Sequence, residues 1–431
     1  MRPGLPARNS NMVRMPRTAR DPAADQAALG RRHRADYWLI ALTLILLAIG
    51  LIVIFSISPA LSAIGHVSSN YYVVKQLVAI FLGLVAFSIA ANVPIGTWRQ
   101  LAKPLIALAG IATLLAIVMP VNPNYPAHRW VRLGSLSFQS VEFLKFALII
   151  WLAGLLADHI HSGTIRNVQL TLKPILIALG VIGVVVVAIQ SDLGSMGVIV
   201  AMVAAMLFVA GLPLKRLAMI AGVIAIGVVL AITAIPYRRE RLMAFLHPSS
   251  TCQSSSYQAC QALIAVGSGG MVGLGLGSSV QAFGYLPEAA NDSIFAIYAE
   301  KFGFLGAVAL FTVLVGLLAR IKTVAERITD DFSRLLVVGV FSWLSVQSLI
   351  NIGAMIGVLP LKGITLPFVS YGGTSVIFAL AAVGLVFQVS RYSALSARVS
   401  RHNYERSLSD DDHRSDRGRV RGAYHPNPGN R

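Results

Sequence analysis

Charge is scarce in this sequence. Asp, Glu, Lys and Arg make up 13% of its 431 residues, about half the share of an ordinary soluble domain, which excludes that class. Acidic residues are the scarcer sign, with 18 Asp and Glu against 36 Lys and Arg. Cysteine is nearly missing: Cys252 and Cys260 are the only two. The nine histidines are scattered. No Cys/His metal spacing and no catalytic-triad arrangement can be built from them. The glycine-rich stretch VGSGGMVGLGLGSS at 266–279 lacks the strand-then-helix setting of a dinucleotide fingerprint. It reads as a re-entrant or surface loop with close backbone packing. No internal repeat stands out, which disfavours an inverted-repeat transporter. There is no cleavable signal pattern either, because the first 36 residues are polar and Arg-rich and the apolar run behind them is too long for one.

What is abundant is apolar sequence, 56% of the chain. Runs of roughly 20 apolar residues, the length that crosses a bilayer as a helix, recur along it. Ten are expected, near 37–57, 72–92, 104–121, 140–157, 170–189, 193–212, 216–236, 293–319, 334–358 and 372–391. Pro104, Pro174 and Pro213 are read as span starts or loops. The fold class is therefore all-α: a polytopic integral membrane protein with ten transmembrane helices in residues 37–391. Residues 1–36 and 392–431 are polar, basic and poor in apolar side chains, and are expected to be disordered tails. An even span count puts both ends on one side. With the N-terminus inside, the inner loops hold Arg99, Lys103, Arg166, Lys173, Lys215, Arg216, Arg320, Lys322, Arg327 and Arg334, while the first outer loop, 58–71, has no Lys or Arg. Both ends are thus expected in the cytoplasm. The basic excess follows topology rather than one folded face, so it does not imply nucleic acid.

Three expected outer segments break that bias: Arg129 and Arg132; Arg238, Arg239 and Arg241; and Lys362. A cluster of guanidinium groups outside suits an anionic, phosphorylated ligand. Lipid headgroups or a local pair with Glu240 is the plainer alternative. The large outer loop, about 237–292, is the one sizeable non-membrane region, and a Cys252–Cys260 disulfide is chemically allowed there without being required. Ionisable residues within spans point to a bundle interior or an aqueous cavity: Lys75 with Gln76, Glu142 with Lys145, Asp192, and Glu300 with Lys301. Glu142 and Lys145 share a helix face. Asp192 sits in QSDLGS, a turn tight enough to make the fifth and sixth spans neighbours. For each of these a structural salt bridge or helix cap competes with a functional role.

The stretch 285–303, YLPEAANDSIFAIYAEKFG, draws these threads together. Asp292 stands where a membrane helix meets water, near the helix N-terminus, whose dipole favours a negative charge. A carboxylate there can act as a general base or a cation ligand. A helix cap by Asn291 or Asp292 is the alternative and is compatible with either.

Several segments, in this order, resemble the SEDS family (shape, elongation, division and sporulation): Lys75-Gln76, AHRWVRLGSLSFQSVEFLK at 127–145, QSDLGS at 190–195, PYRRERLMAFLHP at 236–248, YQACQALIAVGSGGMVGLGLGSSVQAFGYLPEAANDSIFA at 257–296 and LPLKGITLPFVSYGGTS at 359–375. Lys362-Gly363 and Ser279-Val280-Gln281 look more like the FtsW branch than the RodA branch. Ser293, Val141 and Thr374 depart from the usual residues, and none removes a charge.

The resemblance implies a peptidoglycan glycosyltransferase. Such an enzyme joins lipid-linked disaccharide-pentapeptide (lipid II) into glycan outside the cytoplasmic membrane, beside a class B penicillin-binding transpeptidase and other division proteins. On that reading Asp292 is the catalytic base. Arg238, Arg239, Arg241, Lys145, Lys362, Glu288 and Arg129 bind the substrate and its pyrophosphate, and Mg²⁺ or Mn²⁺ is left open as a helper. Glu142, Asp192, Lys75, Gln76, Glu300, Ser370 and Tyr371 line or brace the cavity. A lipid II flippase, a RodA-like elongation enzyme and a scaffold for the transpeptidase are the competing readings.

Overall fold

The computed structural model describes residues 35–119, 129–133, 136–233, 239, 242–243, 245, 252, 256–361 and 363–391. Its helices are α1 Tyr37–Ile64, α2 Tyr71–Asn92, α3 Ile95–Val118, α4 Ser140–His161, α5 Val168–Ile189, α6 Leu193–Val209, α7 Leu214–Thr233, α8 Tyr257–Ser268, α9 Ile294–Arg327, α10 Asp331–Met355 and α11 Gly373–Arg391. Among the described residues, each of the ten expected apolar runs falls largely on a helix. Eight of these helices are long and apolar enough to cross a membrane, while α6, at 17 residues, is shorter. The two tails, 1–34 and 392–431, lie outside the described residues.

Local chemistry sets the helix ends. Asp36 caps α1 by accepting the Trp38 N–H, and Asp330 caps α10 by accepting from Ser333. Pro104 does not start a span: it lies inside α3, as Pro59 lies inside α1. A proline costs a membrane helix less than a soluble one, because neighbouring helices and local adjustments re-satisfy the freed carbonyl. At both ends of α5 the backbone widens into π-helix, Val168–Leu172 and Val184–Ile189.

The centre of the bundle is α4 and α11. Of their apolar windows 83% lies inside the protein, against 22% for α2, α3, α5 and α9, which present their remaining surface outward. α4 packs on α3, α6 and α10; α10 also packs on α6 and α9; α9 packs on α1. Phe143 on α4 stacks on Phe378 of α11 with ring centroids 5.2 Å apart. At one end of the bundle lie Arg320–Asp36 (2.7 Å), Arg99–Asp158 and His161–Asp331 (3.9 Å). All of these lie at span ends that the charge bias assigns to the cytoplasm.

Two features depart from the all-α, unbroken-helix expectation. The segment ahead of α4 is a short antiparallel hairpin, β1 Trp130–Leu133 with β2 Leu136–Gln139, in register Trp130↔Gln139. The Gln139 N–H donates to Thr374 Oγ1 at 3.1 Å, which pins the hairpin to the head of α11. Second, α9 is broken at Gly303, whose φ of 65° is left-handed. A break leaves carbonyls and N–H groups unpaired, which lipid cannot satisfy. The glycine-rich stretch supplies the partners. Leu274 and Gly275 N–H donate to the Glu300 and Lys301 carbonyls at 3.0 Å each, and Phe304 and Leu305 N–H donate to Gly270 and Met271 carbonyls at 2.8 and 3.1 Å. The fit has no room for a methyl group. A Cβ on Gly273 would lie 2.2 Å from the Lys301 oxygen, and one on Gly303 would lie 2.4 Å from the Gly273 nitrogen. The stretch is thus a close-packed plug in a broken helix, and the first half-helix, 294–302, carries Asp292 at its head.

Candidate active site

Asp292 lies just ahead of α9 and is half-buried. The residue at the cap position is Ser293, with no side-chain cap bond, so neither Asn291 nor Asp292 caps this helix. The turn before it explains why. Glu288 adopts a left-handed φ of 52°, and its carbonyl accepts from both Asn291 and Ser293 N–H at 3.0 and 3.1 Å. The Ser293 hydroxyl donates back to the Pro287 carbonyl at 3.0 Å and accepts from Gln258 Nε2 on α8 at 3.1 Å. Cys252 and Cys260 are disulfide-bonded, which decides the open alternative and ties the start of α8 to the loop before it.

The carbonyls leading into the site are each taken. Tyr371 N–H donates to Ala290 O at 2.8 Å, Ser370 Oγ to Asn291 O at 2.7 Å, and Asn351 Nδ2 to Asp292 O at 2.7 Å. Ser370 Oγ in turn accepts from Leu366 N–H at 2.7 Å, and Gln76 Nε2 reaches Ser370 O at 3.4 Å. The 290–292 segment is therefore stitched to the 364–371 segment.

The Asp292 carboxylate faces Gly363. A Cβ built there would lie 3.2 Å from Asp292 Oδ2 and 3.3 Å from Arg129 Nη1, so carboxylate and guanidinium border the same small gap. Arg129 is fixed from behind: Nε donates to Gln190 O at 3.0 Å and Nη2 to Ser191 O at 2.7 Å. Ser191 holds a left-handed φ of 54°. These bonds leave Nη1 aimed at the gap. Glu288 is exposed beside it, with Asn291 Nδ2 donating to its Oε2. Tyr72 and Tyr371 meet edge to face at 5.4 Å, as do Tyr71 and Tyr72. Lys75 Nζ donates to the Tyr71 hydroxyl. Burial, with smaller pushes from Tyr71 and Tyr72, raises the Tyr371 phenol to about 12.

Other expected site residues are placed elsewhere in role. Lys145 is engaged by partners inside the bundle. It is 1% exposed and bonded at 2.7 Å to both Glu142 Oε1 and Gln347 Oε1, with its ammonium 4.8 Å over the Trp343 ring. The i,i+3 pair forms as expected. Asp192 is buried and is the cap of α6, accepting from Ser195 N–H at 3.0 Å and Ser195 Oγ at 2.8 Å. Glu300 clamps the plug: Ser279 Oγ and the Val280 and Gln281 N–H groups all donate to it. Lys301 Nζ donates to Leu276 O at 2.7 Å. Lys145, Asp192, Glu300 and Lys301 are thus buried ionisable groups with close partners, as low-dielectric surroundings demand. Arg239 is exposed. Arg238, Arg241 and Lys362 lie outside the described residues. Among the described residues no cluster of three His, Cys, Asp or Glu could hold a metal. Among the described residues, the gap at Gly363 is bordered by one carboxylate and one guanidinium, a poor donor set for a dedicated cation site.

Sequence reasoning missed Gln347 and Asn351 on α10. Both are 1% exposed, and they lie four apart on one face of α10. Counting uncharged amides in spans as well as ionisable groups would have found them.

The family model described as Cell cycle protein, covering FtsW, RodA and SpoVE, matches residues 37–395. The chain belongs to the SEDS family. Among its relatives, the probable peptidoglycan glycosyltransferase FtsW of Saccharophagus degradans is 38% identical over 369 residues, 83% of this chain and 93% of that one. Stage V sporulation protein E of Bacillus subtilis is 35% identical, over 84% and 99%. A solved chain from a peptidoglycan synthase complex that coordinates polymerization and crosslinking superposes with a TM-score of 0.67 at 27% identity, over 83% of this chain and 98% of that one. Thermus thermophilus RodA superposes at 0.60 with 28% identity, over 83% and 97%. The chain is thus a multi-pass helical membrane protein of that family.

Proposed function

We propose that this protein is a peptidoglycan glycosyltransferase that polymerises lipid II into β-1,4 glycan at the outer face of the cytoplasmic membrane during septal wall synthesis. On the proposed topology of ten spans with both ends in the cytoplasm, the 285–303 stretch lies outside. The observation that carries the reading is the carboxylate of Asp292 and the anchored guanidinium of Arg129 bordering one gap at Gly363.

Asp292 takes the proton of the acceptor sugar 4-hydroxyl. That oxygen attacks the anomeric carbon of the donor from the face opposite the pyrophosphate. The bond from the anomeric carbon to the phosphate oxygen breaks, and undecaprenyl pyrophosphate leaves with the electron pair. One carboxylate and one direct displacement invert the centre, so an α-linked donor becomes a β-linked chain. Arg129 Nη1 meets the charge that develops on the leaving group, where a preorganised donor acts most strongly. Arg238, Arg239, Arg241 and Lys362 are proposed to complete that anion site, with Glu288 orienting the acceptor. The glycan is proposed to pass to a class B penicillin-binding transpeptidase.

The test supplies purified protein with lipid II in detergent, where both faces are accessible and no flipping is needed. Polymer formation supports a glycosyltransferase. Its absence, together with lipid II translocation in vesicles, would replace it with a flippase.

A further inference from the structure

We infer that Asn351 is a positioning residue for the catalytic carboxylate, holding both walls of the gap with one amide. The inference rests on Asp292 as the base. Asn351 is 1% exposed, one turn before the end of α10. Its Nδ2 donates to two carbonyls at 2.7 Å each, those of Asp292 and Ile364. The first belongs to the residue proposed as base. The second belongs to the neighbour of Gly363, against which Asp292 Oδ2 and Arg129 Nη1 both lie.

Two carbonyls facing one atom accept only from an NH₂ group, which fixes the amide orientation. That orientation leaves Oδ1 buried without a partner among the described residues. A buried amide oxygen left unmade is costly, so the chain bears this cost to keep the two donated bonds. One turn earlier, Gln347 repeats the device, with Nε2 donating to Thr365 O at 3.0 Å. α10 thus presents successive amides to successive backbone carbonyls of the 364–365 segment.

The geometry dictates which substitutions matter. Asn351→Asp keeps the shape but presents an oxygen to both carbonyls. Asn351→Ala removes the donor. Either frees the Asp292 peptide to shift, and a shift near 1 Å in a reacting group costs on the order of 100-fold in rate. Ser348→Ala is the control, since among the described residues its hydroxyl bonds only Leu344 O within the same helix.

The experiment measures kcat and KM for lipid II on the monodisperse full-length protein. Asn351→Asp and Asn351→Ala should lower kcat per folded molecule about 10- to 100-fold, with KM within about threefold. Ser348→Ala should leave both unchanged. A purely structural role would lower the folded yield and spare kcat, and that result overturns the inference. So does a rise in KM at constant kcat, or failure of both Asn351 variants to fold. Asp292→Asn, run alongside, separates the two claims: if it is inactive while the Asn351 variants are normal, only this inference falls.

Discussion

Replacing Lys145 with Met should damage stability far more than replacing Lys145 and Glu142 together. The ammonium sits 2.7 Å from Glu142 Oε1, with side-chain exposures of 1% and 5%. Taking it away leaves a buried carboxylate whose other oxygen, Oε2, already has no partner among the described residues. Breaking such a pair from one side costs about 3–5 kcal/mol. Removing both charges, as in Glu142→Leu with Lys145→Met, leaves no orphan ion. Gln347 Oε1 keeps the Trp343 Nε1 donor at 2.7 Å, so the amide network survives. Exchange of a buried pair for apolar residues of similar volume is close to neutral, within about 1–2 kcal/mol. A double-mutant cycle should therefore give a coupling energy above about 2 kcal/mol. The assay is equilibrium unfolding of the four proteins in one detergent. A double variant as unstable as the sum of the singles would refute the idea that charge pairing, rather than packing, is at stake.

Two further outcomes are expected. Gly273→Ala should destabilise the protein by about 3 kcal/mol, because its φ of 84° and the Lys301 oxygen 2.2 Å from a new Cβ force the plug away and strain the backbone. Faster amide exchange at Leu274 and Gly275 would report this, and unchanged protection would contradict it. Tyr371 is raised from 10.0 to about 12, so the folded state holds this proton where the unfolded chain has released it. Its contribution is complete below about pH 10 and is lost as pH rises towards 12. Tyr371→Phe should flatten the loss of stability across that window in alkaline unfolding titrations; an unaltered slope would show that another group governs it.

Much of this was legible in the sequence because bilayer physics leaves a coarse imprint. The apolar runs locate every long helix but not all of its ends: α1 and α9 run on past the expected 57 and 319, to Ile64 and Arg327, and α3 begins at Ile95, well before Pro104. Asp292 just ahead of a helix within 285–303, the Glu142–Lys145 pairing and the QSDLGS turn could be read from spacing. The break in α9 could not. Gly303 lies in a run that reads as one helix, and the bonds that make a break tolerable come from 270–275, far away in the chain. The hairpin was hidden for a similar reason, since its anchor is Thr374 on α11. The partners of Lys145 were not legible locally, because a lysine in a span can face a cavity or a partner. The deciding group, Gln347, lies 202 residues away.

The central claim is tested most directly by Asp292→Asn, which keeps the shape and removes the base. With purified protein and lipid II, a general base predicts a fall in polymerisation rate of about 100- to 10,000-fold, with folding intact. Glycan made at the normal rate by that variant would contradict the account.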